Sequence, residues 1–334
     1  MMRMALGLIA TFFIGGLLGC SSTTGGREGV GVVIAHRGAS GYLPEHTLAA
    51  YALAVGQGAA IIEPDVVLTK DGVLICSHDL TLDAATNVEE VYQGRAREDG
   101  KHYAIDFTLA EIRMLMVDDK ERYTAPPQQR EGYHVATLDE MLALVERLAE
   151  RTGRRIGVIP EPKSPSFHLE EGQPIECPLI EAMRSRGYLT THGVHLADGP
   201  GIVQCFDLES VERFARLGVL PSDLIWLVGA DYPTEDELDR AAAVTHGIGP
   251  SRKLVDGPDG RDFLRSVRVR GLVLYPYTFR NEPTDLERYF SMPEVAGVFA
   301  DFPDVARRAR ERVMERKYGQ PSEPRGTIRI EGGF

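Results

Sequence analysis

Short apolar runs alternate with amphipathic stretches from Val30 to about Met314, which predicts repeated strand–helix units and a mainly parallel sheet. Eight strong runs fit an α/β fold of the TIM type, a (β/α)8 barrel. The predicted strands cover 31–36, 60–65, 73–78, 155–161, 201–206, 223–229, 272–276 and 297–301, with a weaker run at 246–250. The predicted helices cover 46–58, 137–152, 177–187, 208–217, 234–244, 259–268, 285–291 and 304–316.

Two places depart from the alternation. Between Asp65 and Val73 the chain has no room for a helix, and seven extended residues at ~3.3 Å each span about 23 Å, enough to return to the barrel floor. We therefore expect a barrel with one helix missing between strands 2 and 3, and a turn at Asp71-Gly72 at the bottom. The polar segment 80–136 predicts an insertion after strand 3 that walls one side of the barrel mouth.

The N-terminus predicts an export signal. Arg3 precedes the apolar run 5–18, which has the length of a signal-peptide core rather than of a membrane span. Leu17-Leu18-Gly19-Cys20 resembles a bacterial lipobox, which implies lipidation of Cys20; the alternatives are an ordinary signal peptide or an uncleaved anchor. The predicted units are a signal peptide (1–19), a lipidated cysteine with a flexible tether (20–29), the barrel (30–316) and a loose tail (317–334).

Composition limits the classes of partner that the protein is expected to bind. The 334 residues carry a formal net charge of −12, which argues against a nucleic-acid partner because such proteins present a basic face. A lipid anchor makes a membrane the expected partner. Residue 21 is Ser and not the aspartate that retains lipoproteins in the inner membrane. We therefore expect the protein at the periplasmic face of the outer membrane in a Gram-negative cell, and anchored to the surface membrane otherwise.

Among the other cysteines, Cys76 and Cys205 lie in apolar runs, and no disulfide is predicted.

Acidic residues follow two predicted strands. Glu63 and Asp65 are two apart, so both side chains point to the same face of the strand, and Glu161 ends another strand. Three carboxylates predict a site for a hard divalent cation, with Ca²⁺ favoured over Mg²⁺. Lys163, two residues after Glu161, can neutralise a phosphate oxygen, although a surface salt bridge is the alternative interpretation of that pair.

Two histidines, His36 and His78, also end predicted strands. Histidine titrates near neutral pH, so one ring can accept a proton while the other donates one. Arg37 can hold phosphate oxygens, and Glu45 can hold Arg37 or a histidine in place. This set of residues predicts an acid–base site for a phosphodiester.

These motifs together resemble the glycerophosphodiester phosphodiesterase family, in particular its bacterial periplasmic branch. The matching motifs are His36-Arg37-Gly38 with Pro44-Glu45 and Thr47, Glu63 with Asp65, Thr69 with Asp71-Gly72 and His78-Asp79, and Glu161 with Lys163. The resemblance implies a TIM barrel that hydrolyses a small-molecule glycerophosphodiester to glycerol 3-phosphate and an alcohol. It assigns the metal to Glu63, Asp65 and Glu161, acid–base catalysis to His36 and His78, the phosphate to Arg37 and Lys163, and the pocket walls to Phe206 and Tyr277.

Other functions stay open at this point. A phospholipase D or sphingomyelinase D of the same barrel type, a hydrolase of polymeric teichoic acids, and a lipoprotein that only binds ligands are all compatible with parts of the motif set. The residues do not decide which histidine is the acid, whether water or a neighbouring glycerol hydroxyl is the nucleophile, which head group is preferred, or the oligomeric state.

Overall fold

The computed structural model describes residues 30–117, 132–190, 197 and 199–319. The predicted signal peptide (1–19), Cys20 with its tether (20–29) and the tail beyond residue 319 lie outside the described residues. The last helix ends at Tyr318, two residues later than the sequence predicts.

Parallel strands form a closed ring. In chain order the strands are β1 (Val32–His36), β2 (Ile61–Glu63), β3 (Asp65–Leu68), β4 (Leu74–Cys76), β5 (Gly157–Val158), β6 (Glu161–Pro162), β7 (Val203–Cys205), β8 (Leu224–Val228), β9 (Gly247–Pro250), β10 (Val273–Leu274) and β11 (Gly297–Ala300). Parallel ladders run β11-β1-β2-β5, β3-β6 and β10-β9-β8-β7. Parallel bridges from Val158 to Gly201 and from Leu274 to Val295 join these ladders. The predicted (β/α)8 class is confirmed.

Two of the barrel strands are interrupted by proline. Pro64 separates β2 from β3, and Pro160 precedes β6, because proline offers no N–H to the ladder. The pairing continues across both breaks: the amide of Glu161 donates to the Pro64 carbonyl oxygen at 2.9 Å. Asp65 is therefore paired in register with Glu161, which places carboxylates of two neighbouring strands side by side.

The core has an inner and an outer layer. Ile34 and Phe299 belong to a buried cluster drawn from most of the barrel strands, which fills the inside of the barrel. The neighbours of Ile34 along β1, Val33 and Ala35, belong to other clusters, which lie between the strands and the helices. This alternation follows from the two-residue period of a strand and leaves the strand ends free for polar groups.

Most of the helices surround the barrel, and two short ones, 88–91 and 109–112, lie in the insertion. Their bounds are α1 (Leu48–Gly56), α2 (Val88–Val91), α3 (Leu109–Ile112), α4 (Leu138–Thr152), α5 (Pro165–Glu170), α6 (Glu176–Ser185), α7 (Leu208–Arg216), α8 (Glu235–Val244), α9 (Arg252–Asp256), α10 (Gly260–Val269), α11 (Pro283–Phe290) and α12 (Pro303–Tyr318). The predicted N-cap of α4 is present, since Thr137 and Glu140 form a capping box. No helix in the described part of the chain is long and apolar enough to span a bilayer.

The predicted third strand, 73–78, is not a barrel strand. β4 pairs antiparallel with β3, with Val67 opposite Ile75. The chain reverses in a tight turn in which Gly72 has a φ of +76° and the Thr69 hydroxyl accepts a hydrogen bond from the amide of Val73 at 2.9 Å. The seven residues after Asp65 thus make a hairpin instead of returning to the barrel floor.

The prediction that no helix lies between barrel strands 2 and 3 is therefore wrong. The third barrel strand is formed by β5 and β6, and α4 is the helix that precedes it. The run at 246–250, the weaker strand prediction, is β9 and completes the ring of eight parallel strands in the described chain.

The insertion begins with the hairpin and ends at α4. Its described residues, up to 117 and from 132, have a small core of their own, in which Val67 and Ile75 pack with Leu82, Phe107 and Leu115. A bridge between Ile75 and Thr137 joins the insertion to the start of α4. The insertion is thus anchored at both ends beside the carboxyl end of the second barrel strand.

Candidate active site

His36 ends β1 and is held by a residue that lies 265 positions away. Its Nδ1 is 2.6 Å from Oδ1 of Asp301, which directly follows β11, the strand paired with β1. The hydroxyl of Ser40 donates to the His36 carbonyl oxygen and to the same Asp301 oxygen. Burial and then the charge of Arg37 lower the pKa of His36, and Asp301 opposes them. The ring is therefore favoured in its neutral form and fixed in one orientation.

Arg37 is buried and contacts acids from three segments. Its Nη1 donates to both carboxylate oxygens of Glu45 at 3.0 Å, which is the contact predicted for Glu45, and its Nε is 3.1 Å from Asp65. Its backbone N–H donates to Glu63 at 2.7 Å. Burial disfavours the charged guanidinium, but Asp65 and Glu45 raise the pKa of Arg37 above its ordinary value.

The three predicted metal ligands converge. Glu63, Asp65 and Glu161 are all buried, and each offers a carboxylate oxygen within 4.8 Å of the others. Burial and the charge of Asp65 raise the pKa of Glu63 well above its usual value and that of Glu161 to about 8. Three close carboxylates fit a hard divalent cation, which prefers oxygen ligands.

Asp65 differs electrostatically from the other two acids. Burial by itself raises its pKa, but the charge of Lys163 and a hydrogen bond from His46 hold the pKa of Asp65 well below its usual range. Lys163 lies between two of the acids, with its Nζ 2.6 Å from Glu161 and 3.6 Å from Asp65. Lys163 thus neutralises part of the acidic charge from the same strand end.

His46 is a buried supporting residue of this cluster. Its Nε2 is 3.1 Å from Asp65 and its Nδ1 is 2.9 Å from the hydroxyl of Tyr51. Burial lowers the pKa of His46, and a neutral ring satisfies both contacts by donating from Nε2 and accepting at Nδ1. Such partners orient ligating carboxylates in metal sites.

A pocket of about 150 Å³ brings most of the predicted residues together. We call it the catalytic pocket; it is lined by His36, Arg37, Glu63, His78, Glu161, Lys163, Gln204, Phe206, Leu227, Tyr277, Thr278 and Phe299. Phe206 and Tyr277 contact each other edge to face at 5.8 Å, and the Tyr277 hydroxyl donates to the Val228 carbonyl oxygen. Asp65 and Glu45 lie behind the wall, in contact with Arg37.

His78 reaches the pocket from the insertion side. It lies two residues after β4, in the hairpin arm rather than at a barrel strand end, and its Nδ1 is 2.7 Å from Asp79. Its side chain is 39% exposed, against 14% for His36. The two histidines therefore face one pocket from different structural units.

Backbone strain accompanies the site. Arg37, His46 and Ser164 have φ values of +57°, +61° and +42°, in the left-handed region that non-glycine residues rarely adopt. Arg37 and His46 belong to the site, and Ser164 directly follows Lys163. Gly38 beside them has a φ of +87°, and a Cβ there would meet the backbone of Ala50 at 2.8 Å. Such strain persists where the surrounding contacts determine the conformation.

Three residues of the site were missed at the level of sequence. Asp301 ends the predicted strand 297–301 and Gln204 lies near the end of the predicted strand 201–206, and that position was the available signal. Gln204 donates to Glu63 at 3.1 Å, across 141 positions. His46 is the first residue of the predicted helix 46–58, where no strand end marks it, and its contact with Asp65 depends on the left-handed turn of the loop before α1.

The fold and this pocket define a class: a (β/α)8-barrel hydrolase whose mouth combines an oriented histidine, the positively charged side chains of Arg37 and Lys163, and an acidic cluster. The Glycerophosphoryl diester phosphodiesterase family matches residues 36–305, and the chain belongs to this family of enzymes that hydrolyse phosphoric diesters.

Two relatives and one solved structure illustrate the similarity. A glycerophosphodiester phosphodiesterase from Haemophilus influenzae is 30% identical over 90% of this chain and 96% of its own. One from Bacillus subtilis is 33% identical over 84% and 86% of the two chains. The structure of an Oleispira antarctica phosphodiesterase in complex with the product sn-glycerol-3-phosphate superposes with a TM-score of 0.62, at 22% identity over 84% of this chain and 97% of that one. The last likeness supports the fold.

Replacing Asp301 by asparagine tests its contact with His36. We expect kcat to fall by about 100-fold or more, because the ring loses the group that orients it and stabilises its protonated form. Asp301 raises the pKa of His36 against burial, so its loss lowers that pKa further. If His36 acts as a base, the acidic limb of the kcat/KM profile shifts to lower pH.

The matched control is Asp304→Asn, since Asp304 is a neighbouring acid bound to the hydroxyl of Tyr42. It should keep the pH profile of the wild type. A purely structural role for Asp301 would reduce activity without moving the acidic limb, and that result would contradict the assignment.

Proposed function

We propose that this enzyme hydrolyses small glycerophosphodiesters, such as glycerophosphocholine, to glycerol 3-phosphate and an alcohol, with a divalent cation bound by Glu63, Asp65 and Glu161. The observation that carries the proposal is the convergence of both histidines, Arg37 and the acidic cluster on one pocket. The glycerol 3-phosphate bound to the structural relative supports the choice of product.

The proposed acid–base roles follow the environments of the two histidines. His36 is partly buried, favoured in the neutral form and backed by Asp301, so it is suited to take the proton of the nucleophile. His78 is half exposed on the other wall and gives a proton to the departing alcohol oxygen. The bond from phosphorus to that oxygen breaks as the bond to the nucleophile forms. The nucleophile is water, which gives glycerol 3-phosphate directly, or the neighbouring glycerol hydroxyl, which gives a cyclic phosphate that water then opens to glycerol 3-phosphate. In the first step of either route, His36 takes the proton of the nucleophile.

The phosphate lies between fixed charges. Arg37 and Lys163 line the pocket and are held by the buried acids Asp65 and Glu161, so little reorganisation is needed when a charged group arrives. A divalent cation bound by the three acids would neutralise part of the negative charge that builds up on the phosphate during the reaction. Gln204, Phe206 and Tyr277 form the wall against which the glycerol half is placed.

We further propose that the chain is exported and anchored by lipid on Cys20. The lipobox-like Leu17-Leu18-Gly19-Cys20 and the polar tether that follows support this. The absence of an aspartate after Cys20 supports the periplasmic face of the outer membrane in a Gram-negative cell, and the cell surface otherwise.

Alanine at either histidine tests the acid–base proposal. Glycerophosphocholine is supplied to the full chain, and released glycerol 3-phosphate is measured with its dehydrogenase. We expect His36→Ala and His78→Ala each to lower kcat by about 100-fold or more, because each removes a proton-transfer step, with the melting temperature little changed.

His134→Ala is the matched control, since His134 is an exposed histidine of the insertion bonded to a backbone carbonyl oxygen. It should retain wild-type turnover. Wild-type turnover in both active-site variants would refute the roles, and turnover of intact phosphatidylcholine but not of glycerophosphocholine would replace the substrate class with a lipid.

Chelation tests the proposed cation. Without a cation the three buried carboxylates repel one another, so adding Ca²⁺ to EDTA-treated protein should raise the melting temperature. At 100 times Kd the free energy of unfolding rises by about 2.7 kcal/mol. Asp65→Asn should abolish this rise and the metal-dependent activity, whereas Glu150→Gln on the exposed face of α4 should keep both. Equal stabilisation of both variants would place the cation elsewhere.

Cys20→Ala tests the anchor. The wild type should sediment with membranes and take up labelled palmitate, whereas the variant should take up none, because its acceptor thiol is missing. Labelling of the variant, or a wild type without label, would remove the lipid anchor from the proposal.

A further inference from the structure

A second cavity adjoins the catalytic pocket. It has a volume of about 230 Å³ and lies between the barrel mouth and the insertion. We call it the insertion cavity. Arg37 and His78 line both this cavity and the catalytic pocket. A molecule whose centre is held at these two residues therefore extends into both spaces.

The two spaces differ in chemistry. The catalytic pocket presents Glu63, Glu161 and the amide of Gln204, whose Oε1 is buried and has no hydrogen-bond partner among the described residues. Such acceptors suit the hydroxyl groups of glycerol. The insertion cavity is walled by apolar side chains of the insertion, among them Leu82, Ala84, Ala85, Val117 and Val135.

The positions of the two histidines indicate which half of the substrate lies in which of the two spaces. His36 lines the catalytic pocket, whereas His78 lines both spaces and belongs to the insertion arm. The group that protonates the departing oxygen must face the departing alcohol. The alcohol thus lies on the His78 side, in the insertion cavity, and the glycerol half lies on the His36 side.

The insertion cavity carries two carboxylates, and each lies against a neighbouring group: Glu45 against the Arg37 guanidinium and Asp79 against the His78 ring. Among the described lining residues, Arg37 is the one permanently charged cation. Asp79 is half exposed and its pKa is lowered by the hydrogen bond from His78. A cationic group next to apolar walls is therefore favoured, and an anionic group is disfavoured.

We propose that the insertion cavity is the subsite for the leaving alcohol, and that it selects a small amino alcohol of the choline type over neutral or anionic head groups. A trimethylammonium group matches it, because its methyl groups pack on apolar side chains while its charge faces the carboxylates. This inference rests on the proposed phosphodiesterase function and adds its head-group preference.

The first experiment fills the cavity. Ala85→Leu places a larger side chain on its wall, and Ala110→Leu makes the same change on the exposed face of α3, outside the cavity. The full-length proteins are assayed with glycerophosphocholine and with the methyl ester of glycerol 3-phosphate, whose methanol is too short to reach the walls. For Ala85→Leu we expect kcat/KM to fall about tenfold for the choline ester and to stay unchanged for the methyl ester.

The second experiment changes charge at a position that tolerates it. Ala84 is exposed at the rim, so Ala84→Lys should leave the fold intact. We expect the ratio of kcat/KM for glycerophosphocholine to that for glycerophosphoglycerol to fall about threefold, because the new ammonium repels choline and not glycerol.

The outcomes separate the inference from the function it rests on. Equal loss on both esters in Ala85→Leu, or no loss on either together with an unchanged ratio in Ala84→Lys, overturns the subsite. No hydrolysis of any of the three diesters by the wild type overturns the proposed function itself.

Discussion

The site depends on burying acids and cations together at one end of the barrel. Glu63, Asp65 and Glu161 each place a carboxylate oxygen within 4.8 Å of the others, and Arg37 and Lys163 lie among them. Removing an ion from water costs several kcal/mol even after relaxation, so none of these groups is tolerable there alone. The pairing also explains the strained backbone, because Arg37 reaches its acids with a left-handed conformation that the ion pairs hold in place.

The proline breaks in the strands lie next to the three acids of the cluster. Pro64 lies between Glu63 and Asp65, and Pro160 precedes Glu161, yet parallel pairing continues past both. Each acid is therefore presented from a rigid strand end rather than from a loop. Rigid support limits the freedom of the carboxylates and keeps their separation small in spite of their repulsion.

The insertion makes the site a two-sided one. The barrel alone supplies His36, the cations and the acids, while the hairpin arm supplies His78 and the walls of the neighbouring cavity. On the proposed assignments, proton transfer involves both units, while head-group recognition belongs to the insertion, which has a small core of its own. The catalytic pocket and the insertion cavity share Arg37 and His78, so the two spaces meet beside the acidic cluster.

Much of this could be predicted from the sequence because it depends on local periodicity. The alternation of apolar runs predicted the barrel class, the spacing of Glu63 and Asp65 predicted a shared face, and Thr137 with Glu140 predicted a helix start that the structure confirms. The motifs at strand ends named both histidines and the three acids, which converge on one pocket or lie directly behind it.

Only the tertiary structure decided which distant strand or side chain each of these local features contacts. The run 73–78 has the composition of a barrel strand, but its direction depends on whether seven residues extend or turn, and the turn at Gly72 reverses it. Asp301 and Gln204 meet His36 and Glu63 across 265 and 141 positions. The sequence by itself determined which residues end strands, because that is written in neighbouring residues. Which strand ends meet follows from closure of the barrel, a property of the whole chain.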